Sequence, residues 1–194
     1  MRLFIAIALD EDVRQRLAEA QCQLAAAPCK VKWVEAQNLH LTLKFLGEVE
    51  EGGLEAIAQA MTEAAAPAAP FEMRIAGVGS FPPRGVPRVV WAGVEAPDVH
   101  PLHRRLEGIL ARLGHEPEKR GFRPHVTMGR VKGREGARQL RALIKTIAGR
   151  EFGRCRVGEI VLMRSTLSPT GPTYTPLRRA PLAGGEGAGG DHGE

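Results

Sequence analysis

One short pattern, present twice, constrains this chain more than anything else in it. His40-Leu41-Thr42-Leu43 lies in the first half and His125-Val126-Thr127-Met128 in the second. Each sits in an apolar run that reads as a strand, residues 39–46 and 122–131. Residues two apart in a strand share a face. His40 and Thr42 therefore share one face, with Leu39, Leu41, Leu43 and Phe45 on the other. His125 and Thr127 pair in the same way, with Val126 and Met128 opposite. A core can anchor each apolar set while an imidazole and a hydroxyl project into a cleft. Each copy follows a helical segment and precedes another. This predicts a duplicated lobe whose pseudo-two-fold axis brings the two His/Thr pairs into one groove.

The rest of the chain supplies the elements for such a duplication. Residues 2–9 read as a buried strand. A helix capped by Asp10 follows, with Val13, Leu17, Ala20 and Leu24 at helical spacing and Pro28 closing it. Residues 31–49 are strand-like, with a bend at Gln37-Asn38. Glu51-Gly52-Gly53 opens a second helix carrying Leu54, Ile57, Ala58 and Met61, which ends in the Ala/Pro stretch 64–70. Strands at 71–78 and 88–94 flank a loop, 79–87, rich in turn formers. Asp98 caps a third helix carrying Leu102, Leu106, Ile109, Leu110 and Leu113, and Gly114 stops it. Then come a strand at 122–132, a helix at 135–148, a strand at 156–165 and a last strand at 174–177. About four helices and seven strands in this order predict an α+β fold, not a doubly wound parallel sheet. The expected form is bilobal: two pseudo-symmetric lobes with mostly antiparallel sheets around a central cleft, and helices outside. Residues 1–183 are expected to form this single domain, and 184–194 a flexible Gly-rich tail.

A chain of 194 residues can bury a core of that size. No apolar run approaches the ~20 residues a membrane span needs. The apolar opening 2–9 is too short for a secretory core and runs straight into acidic residues. Cys22, Cys29 and Cys155 form an odd set without Cys-x-x-Cys spacing, so neither a disulfide framework nor a zinc site is expected. The expectation is a cytoplasmic protein. Its net charge of +5 is compatible with a polyanionic ligand, though charge alone identifies none.

The doubled His-x-Thr suits hydrolysis of a cyclic phosphodiester. That reaction needs an activated water, a protonated leaving oxygen and stabilisation of charge on phosphorus. Imidazole titrates near ~6.5, so one neutral and one protonated ring can coexist around neutrality and act as base and acid. Two threonine hydroxyls can donate to the non-bridging phosphate oxygens. No metal or other cofactor is called for, since His-x-Thr offers one nitrogen ligand per copy with no carboxylate or cysteine at ligand spacing. A lone His-x-Thr in a strand is ordinarily structural. Two copies in matching contexts are what carry the functional reading.

The surrounding residues extend the pattern. Arg2-Leu3-Phe4-Ile5-Ala6-Ile7, Asn38 to Gly47, Gly77-Val78-Gly79-Ser80-Phe81-Pro82, Arg88-Val89-Val90-Trp91 and Arg123 to Arg130 together resemble the two-histidine (2H) phosphoesterases. Within them the chain looks like the bacterial and archaeal RNA 2′,3′-cyclic phosphodiesterases, often labelled 2′-5′ RNA ligases, over about residues 1–180. The resemblance implies a bilobal α+β fold with two antiparallel sheets beside a cleft. It implies opening of a 2′,3′-cyclic phosphate at an RNA end to a 2′-phosphomonoester, with His40 as proton donor to the 3′ oxygen and His125 as proton acceptor from water. Some members also join RNA halves through a 2′-5′ linkage. The expected partners are RNA ends or nucleotides bearing the cyclic phosphate, met by a monomer without metal or membrane. A binding module with little catalysis, or an enzyme for a small cyclic phosphate, would share these motifs.

Other positions divide between the site and the scaffold. Arg130 suits phosphate, yet strict alternation turns it away from His125 unless Gly129 permits a bulge. Arg123 reads as a solvated charge and Lys44 as a surface lysine on the His40 face. Alternation sends Phe45 into the core. His100 and His103 read as solvent-facing, His115 as a turn residue and His192 as part of the tail. Trp33 and Trp91 fit packing better than base stacking. Arg84 and Arg88 belong to a loop that could border the cleft.

Overall fold

The computed structural model describes residues 1–119, 121–169 and 171–184. The elements run β1 (Arg2–Ala8), α1 (Glu11–Leu24), β2 (Val31–Trp33), β3 (His40–Glu48), α2 (Leu54–Ala65), β4 (Phe71–Phe81), β5 (Val89–Glu95), α3 (Val99–Arg112), β6 (His125–Val131), α4 (Ala137–Thr146), β7 (Glu151–Val157), β8 (Glu159–Leu167) and β9 (Pro172–Pro181). Eight strands lie in the order β7-β4-β5-β6-β3-β1-β8-β9, and β2 adds to β6 off this path. Every pairing is antiparallel. No helix among the described residues is long and apolar enough to cross a membrane.

The order is a palindrome in kind. β3-β1-β8-β9 and β6-β5-β4-β7 are matching halves that meet at one registered pair, Leu41 with Val126. The helices pack in two pairs: α1 lies on β6, β7 and α4, whereas α2 lies on β8, β9 and α3. They cover one face of the sheet. Leu3, Ile5 and Ile7 of β1, Leu41 of β3, Val126 and Met128 of β6 and Ile160 and Leu162 of β8 point into that layer, each nearly inaccessible. Val13 and Leu17 of α1, Ile57 and Met61 of α2, Leu102 and Leu106 of α3 and Leu140 of α4 meet them there. Burying side chains of this kind contributes about 1.5–3 kcal/mol each.

Several boundaries differ from expectation. The run 156–165 spans the end of β7 and most of β8, two strands joined at Gly158. β4 runs three residues past Val78, and β9 is longer than 174–177. Asp10 and Asp98 precede their helices, but neither side chain makes a capping bond. Gly114 does follow α3 with φ +88°, a conformation that suits glycine. The tail, from residue 185 on, lies outside the described residues.

Candidate active site

Antiparallel pairing of Leu41 with Val126 fixes the site. Both side chains are fully buried on the helix side, so His40, Thr42, His125 and Thr127 emerge on the opposite face. The register sets His40 across from Thr127 and Thr42 across from His125. The two histidines are then diagonal neighbours, about 7–8 Å apart at the backbone in a regular ladder. All four residues are partly exposed.

Matching backbone contacts orient the two rings. His40 Nδ1 lies 2.7 Å from the carbonyl of Asn38, and His125 Nδ1 lies 2.7 Å from the carbonyl of Arg123. A carbonyl only accepts, so each Nδ1 carries the hydrogen. The titrating atom of both rings is therefore Nε2. His40 Nε2 stands 3.0 Å from Thr42 Oγ1, while no group among the described residues bonds His125 Nε2.

The rings differ in setting. His40 stacks on Phe4, with centroids 4.9 Å apart, and meets the edge of Tyr174 at 5.3 Å. Burial in this box holds its pKa below the ordinary imidazole value, with the Asn38 contact opposing. His125 has an edge contact with Phe81 at 5.2 Å. Phe4, Phe81 and Tyr174 went unassigned from sequence. The signal for Phe4 lay in β1, whose alternate residues Phe4, Ala6 and Ala8 share the face of His40.

A break in alternation explains the neighbours. β3 slips against β1 so that Ile5 pairs with Lys44 and Ala6 with Thr42, leaving Leu43 as an extra residue. β6 slips against β5 at the matching place: Val90 pairs with Gly129 and Trp91 with Thr127, leaving out Met128. Each slip is a β-bulge three residues after the histidine. Two earlier expectations change as a result, and the side that Arg130 takes, left open by alternation, follows from the bulge. Phe45 is 64% exposed on the cleft side instead of packed in the core. Lys44 is buried on the helix side, with Nζ 2.9 Å from Glu107 Oε1 and 2.6 Å from the Glu116 carbonyl. Arg130 turns to the His125 face, because a bulge exists after all. Gly129 is needed for another reason: a Cβ there would come within 2.7 Å of the Trp33 ring.

A cavity of about 1430 Å³ opens on this face. Thr42, His125, Thr127 and Arg130 line it, with Phe45, Phe81 and Phe122 as aromatic walls and Arg84, Arg88, Arg123 and Arg134 as cations. His40 does not line the cavity and reaches it through Thr42. Neither tryptophan lines it. His103 does, and the expectation that it faces solvent fails: it is 8% exposed and stacked flat on Phe122 at 3.8 Å. Its spacing from Val99 and Leu106 on α3 placed it beside the apolar stripe, which was the available clue. His100 is exposed, as expected. The three cysteines are unpaired, and burial pushes the Cys155 thiol up to about 11. Among the described residues there is no cluster of three or more His, Cys, Asp or Glu that could hold a metal ion.

A paired-histidine phosphoesterase is the class that this curled antiparallel frame and doubled motif define. The model of the family described as LigT like Phosphoesterase matches residues 7–91 and 94–174, and the chain belongs to that family. The RNA 2′,3′-cyclic phosphodiesterase of Methanothermobacter thermautotrophicus is 42% identical over 178 residues, covering 91% of this chain and 96% of the relative. The one from Archaeoglobus fulgidus is 37% identical, covering 92% and 98%. Among solved structures, TT0787 of Thermus thermophilus superposes with a TM-score of 0.82 at 35% identity, covering 95% of this chain and all of that one. E. coli LigT complexed with 3′-AMP gives 0.73 at 30% identity, covering 93% and 97%.

Proposed function

We propose that this protein hydrolyses a terminal RNA 2′,3′-cyclic phosphate to a 2′-phosphomonoester, with His40 as acid and His125 as base. One observation carries the reading: both Nδ1 atoms are held by the carbonyl two residues back, so both Nε2 atoms are turned to chemistry, that of His40 with Thr42 Oγ1 3.0 Å away. The names of the relatives support the substrate.

The phosphorus of the cyclic ester lies between the two rings. His125 Nε2 takes a proton from water as its oxygen bonds to phosphorus. The P–O3′ bond breaks in line, and His40 Nε2–H gives its proton to O3′. The product is a 2′-phosphate with a free 3′-hydroxyl, and the two rings end with their protonation states exchanged. Burial favours neutral His40 in the free protein, and the anionic phosphate is what favours its proton. Protonation also ends the hydrogen bond that neutral Nε2 accepts from Thr42 Oγ1. Nε2–H is then directed to O3′, and the threonine hydroxyl is free to donate to a non-bridging oxygen. Thr127 and Arg130 complete the anion's hydrogen bonds from the β6 side. The proton transfers are assigned to imidazoles with no metal or cofactor. Residues 1–183 act as the one catalytic unit, as a monomer, in a cytoplasmic setting that suits three unpaired cysteines.

Incubating the protein with a nucleoside 2′,3′-cyclic phosphate in EDTA, and separating the 2′- and 3′-phosphates formed, tests this. A 2′-phosphate that disappears in His40→Ala and His125→Ala supports the assignment. A 3′-phosphate means that O2′ leaves and the roles are wrong. Tight RNA binding without turnover would make the protein a binding module.

A further inference from the structure

The cations around the cavity are distributed unevenly. Several arginines away from it are matched with acids: Arg74 with Glu95 and Glu151, Arg112 with Glu63, Arg150 with Glu19 and Arg154 with Glu72. Arg84, Arg88 and Arg134 are exposed, line the cavity, and have no acidic partner among the described residues. The backbone gathers them. Val131 N donates to the Arg88 carbonyl at 2.9 Å, which sets the chain leading to Arg134 beside the loop that carries Arg84 and Arg88.

That loop is a fixed wall. Arg141 of α4 directs its guanidinium to backbone carbonyls, with Nη1 donating to Pro83 at 2.8 Å and Nη2 to Gly85 at 2.6 Å and Pro82 at 3.4 Å. Arg88 N closes the base of the loop on the Phe81 carbonyl at 2.7 Å. A wall ordered in advance binds without the entropic cost of ordering it. Arg84 and Arg88 on this wall and Arg134 beside it present three guanidiniums without acidic partners among the described residues, a chemistry that suits more than one phosphate. The cavity agrees, since about 1430 Å³ exceeds the roughly 300–1,000 Å³ of a small-molecule pocket. The wall stands at the far end of β5 and β6 from His125, beyond Arg130.

We propose that Arg84, Arg88 and Arg134 form a second phosphate subsite that holds the phosphodiesters 5′ of the reacting end, with Arg141 as the positioning residue of its wall. The preferred substrate is then an oligoribonucleotide end and not a free nucleoside cyclic phosphate. The proposal rests on the assignment of the histidine pair given above.

Kinetics on two substrates test it: a short oligoribonucleotide ending in a 2′,3′-cyclic phosphate, and a nucleoside 2′,3′-cyclic phosphate. In the full-length Arg84→Gln/Arg88→Gln/Arg134→Gln protein, the ratio of kcat/KM for the oligonucleotide to that for the nucleoside falls on the order of tenfold. The salt dependence of the oligonucleotide reaction becomes shallower, by about 0.7 in log–log slope for each phosphate no longer neutralised. Arg141→Ala lowers the same ratio, through KM more than kcat. An unchanged ratio in the triple variant, with both substrates still hydrolysed, removes the subsite and leaves the histidines standing. Fluorescence anisotropy with a labelled oligonucleotide separates the other failure. Salt-sensitive binding that the triple variant loses, with neither substrate hydrolysed by the unaltered protein, keeps the subsite and overturns the catalytic reading.

Discussion

Replacing Lys44 by Met tests how the bulge in β3 organises the molecule. The ammonium lies 2.9 and 3.1 Å from the two oxygens of Glu107 and 2.6 Å from the Glu116 carbonyl. Side-chain exposure is 7% for Lys44 and 13% for Glu107, so solvent screens the pair little. Removing one partner of such a pair costs about 3–5 kcal/mol, because the other charge stays buried. Glu107 keeps the Glu118 backbone N–H at 2.9 Å, which argues for the lower end, about 3 kcal/mol. For a chain of this size that is a Tm lower by about 6–12 °C. Urea denaturation followed by circular dichroism on Lys44→Met, Glu107→Leu and the double variant gives the cycle. The double variant should recover much of the loss, since an apolar pair can replace a buried ionic one. A cost for Lys44→Met below about 1 kcal/mol, the range for exposed pairs, would refute the reasoning. So would a double variant that simply adds the two single costs.

Three further outcomes follow from the same geometry. Burial holds His40, His103 and His115 below the ordinary imidazole value. The unfolded chain therefore takes up protons first, and stability is complete above about 6.5 and lost as pH falls through the lower folded values; a urea midpoint that stays level or rises on mild acidification contradicts this. Turnover should be bell-shaped in pH. Its limbs belong to the coupled histidine pair, and bound phosphate, by favouring protonated His40, moves the alkaline limb to higher pH in kcat than in kcat/KM; coincident limbs would mean the phosphate charge does not reach His40. Arg130→Gln should lower kcat/KM about ten- to hundredfold, with Arg130→Lys restoring only part; an unaltered rate would leave Arg130 outside the site.

What could be read from the chain, and what could not, divides at the bulges. The doubled His-x-Thr and its apolar partners gave the shared face, because a period of two holds from His40 to Thr42 and from His125 to Thr127. Beyond Leu43 and Met128 the period slips, and a residue-by-residue count assigns Lys44, Phe45 and Arg130 to the wrong sides or leaves them open. The burial of Lys44 was invisible because its partner Glu107 is 63 residues away in the chain. β7 was missed because Gly153 and three charged residues interrupt its apolar alternation. The aromatic box around His40 was hidden for a different reason. Phe4 and Tyr174 come from strands at opposite ends of the chain, and only the pairings of β1 with β3 and β8, and of β8 with β9, bring them together.

The most direct test of the paired imidazoles uses a leaving group that needs no proton. A nucleoside cyclic ester with sulfur in place of the 3′ bridging oxygen expels a thiolate. His40→Ala should slow the ordinary ester about 10²–10⁴-fold and the sulfur ester far less. His125→Ala should slow both alike, since each still needs its water deprotonated. Equal slowing of both esters by His40→Ala, or rescue of His125→Ala by sulfur, would contradict the assignment of acid to His40 and base to His125.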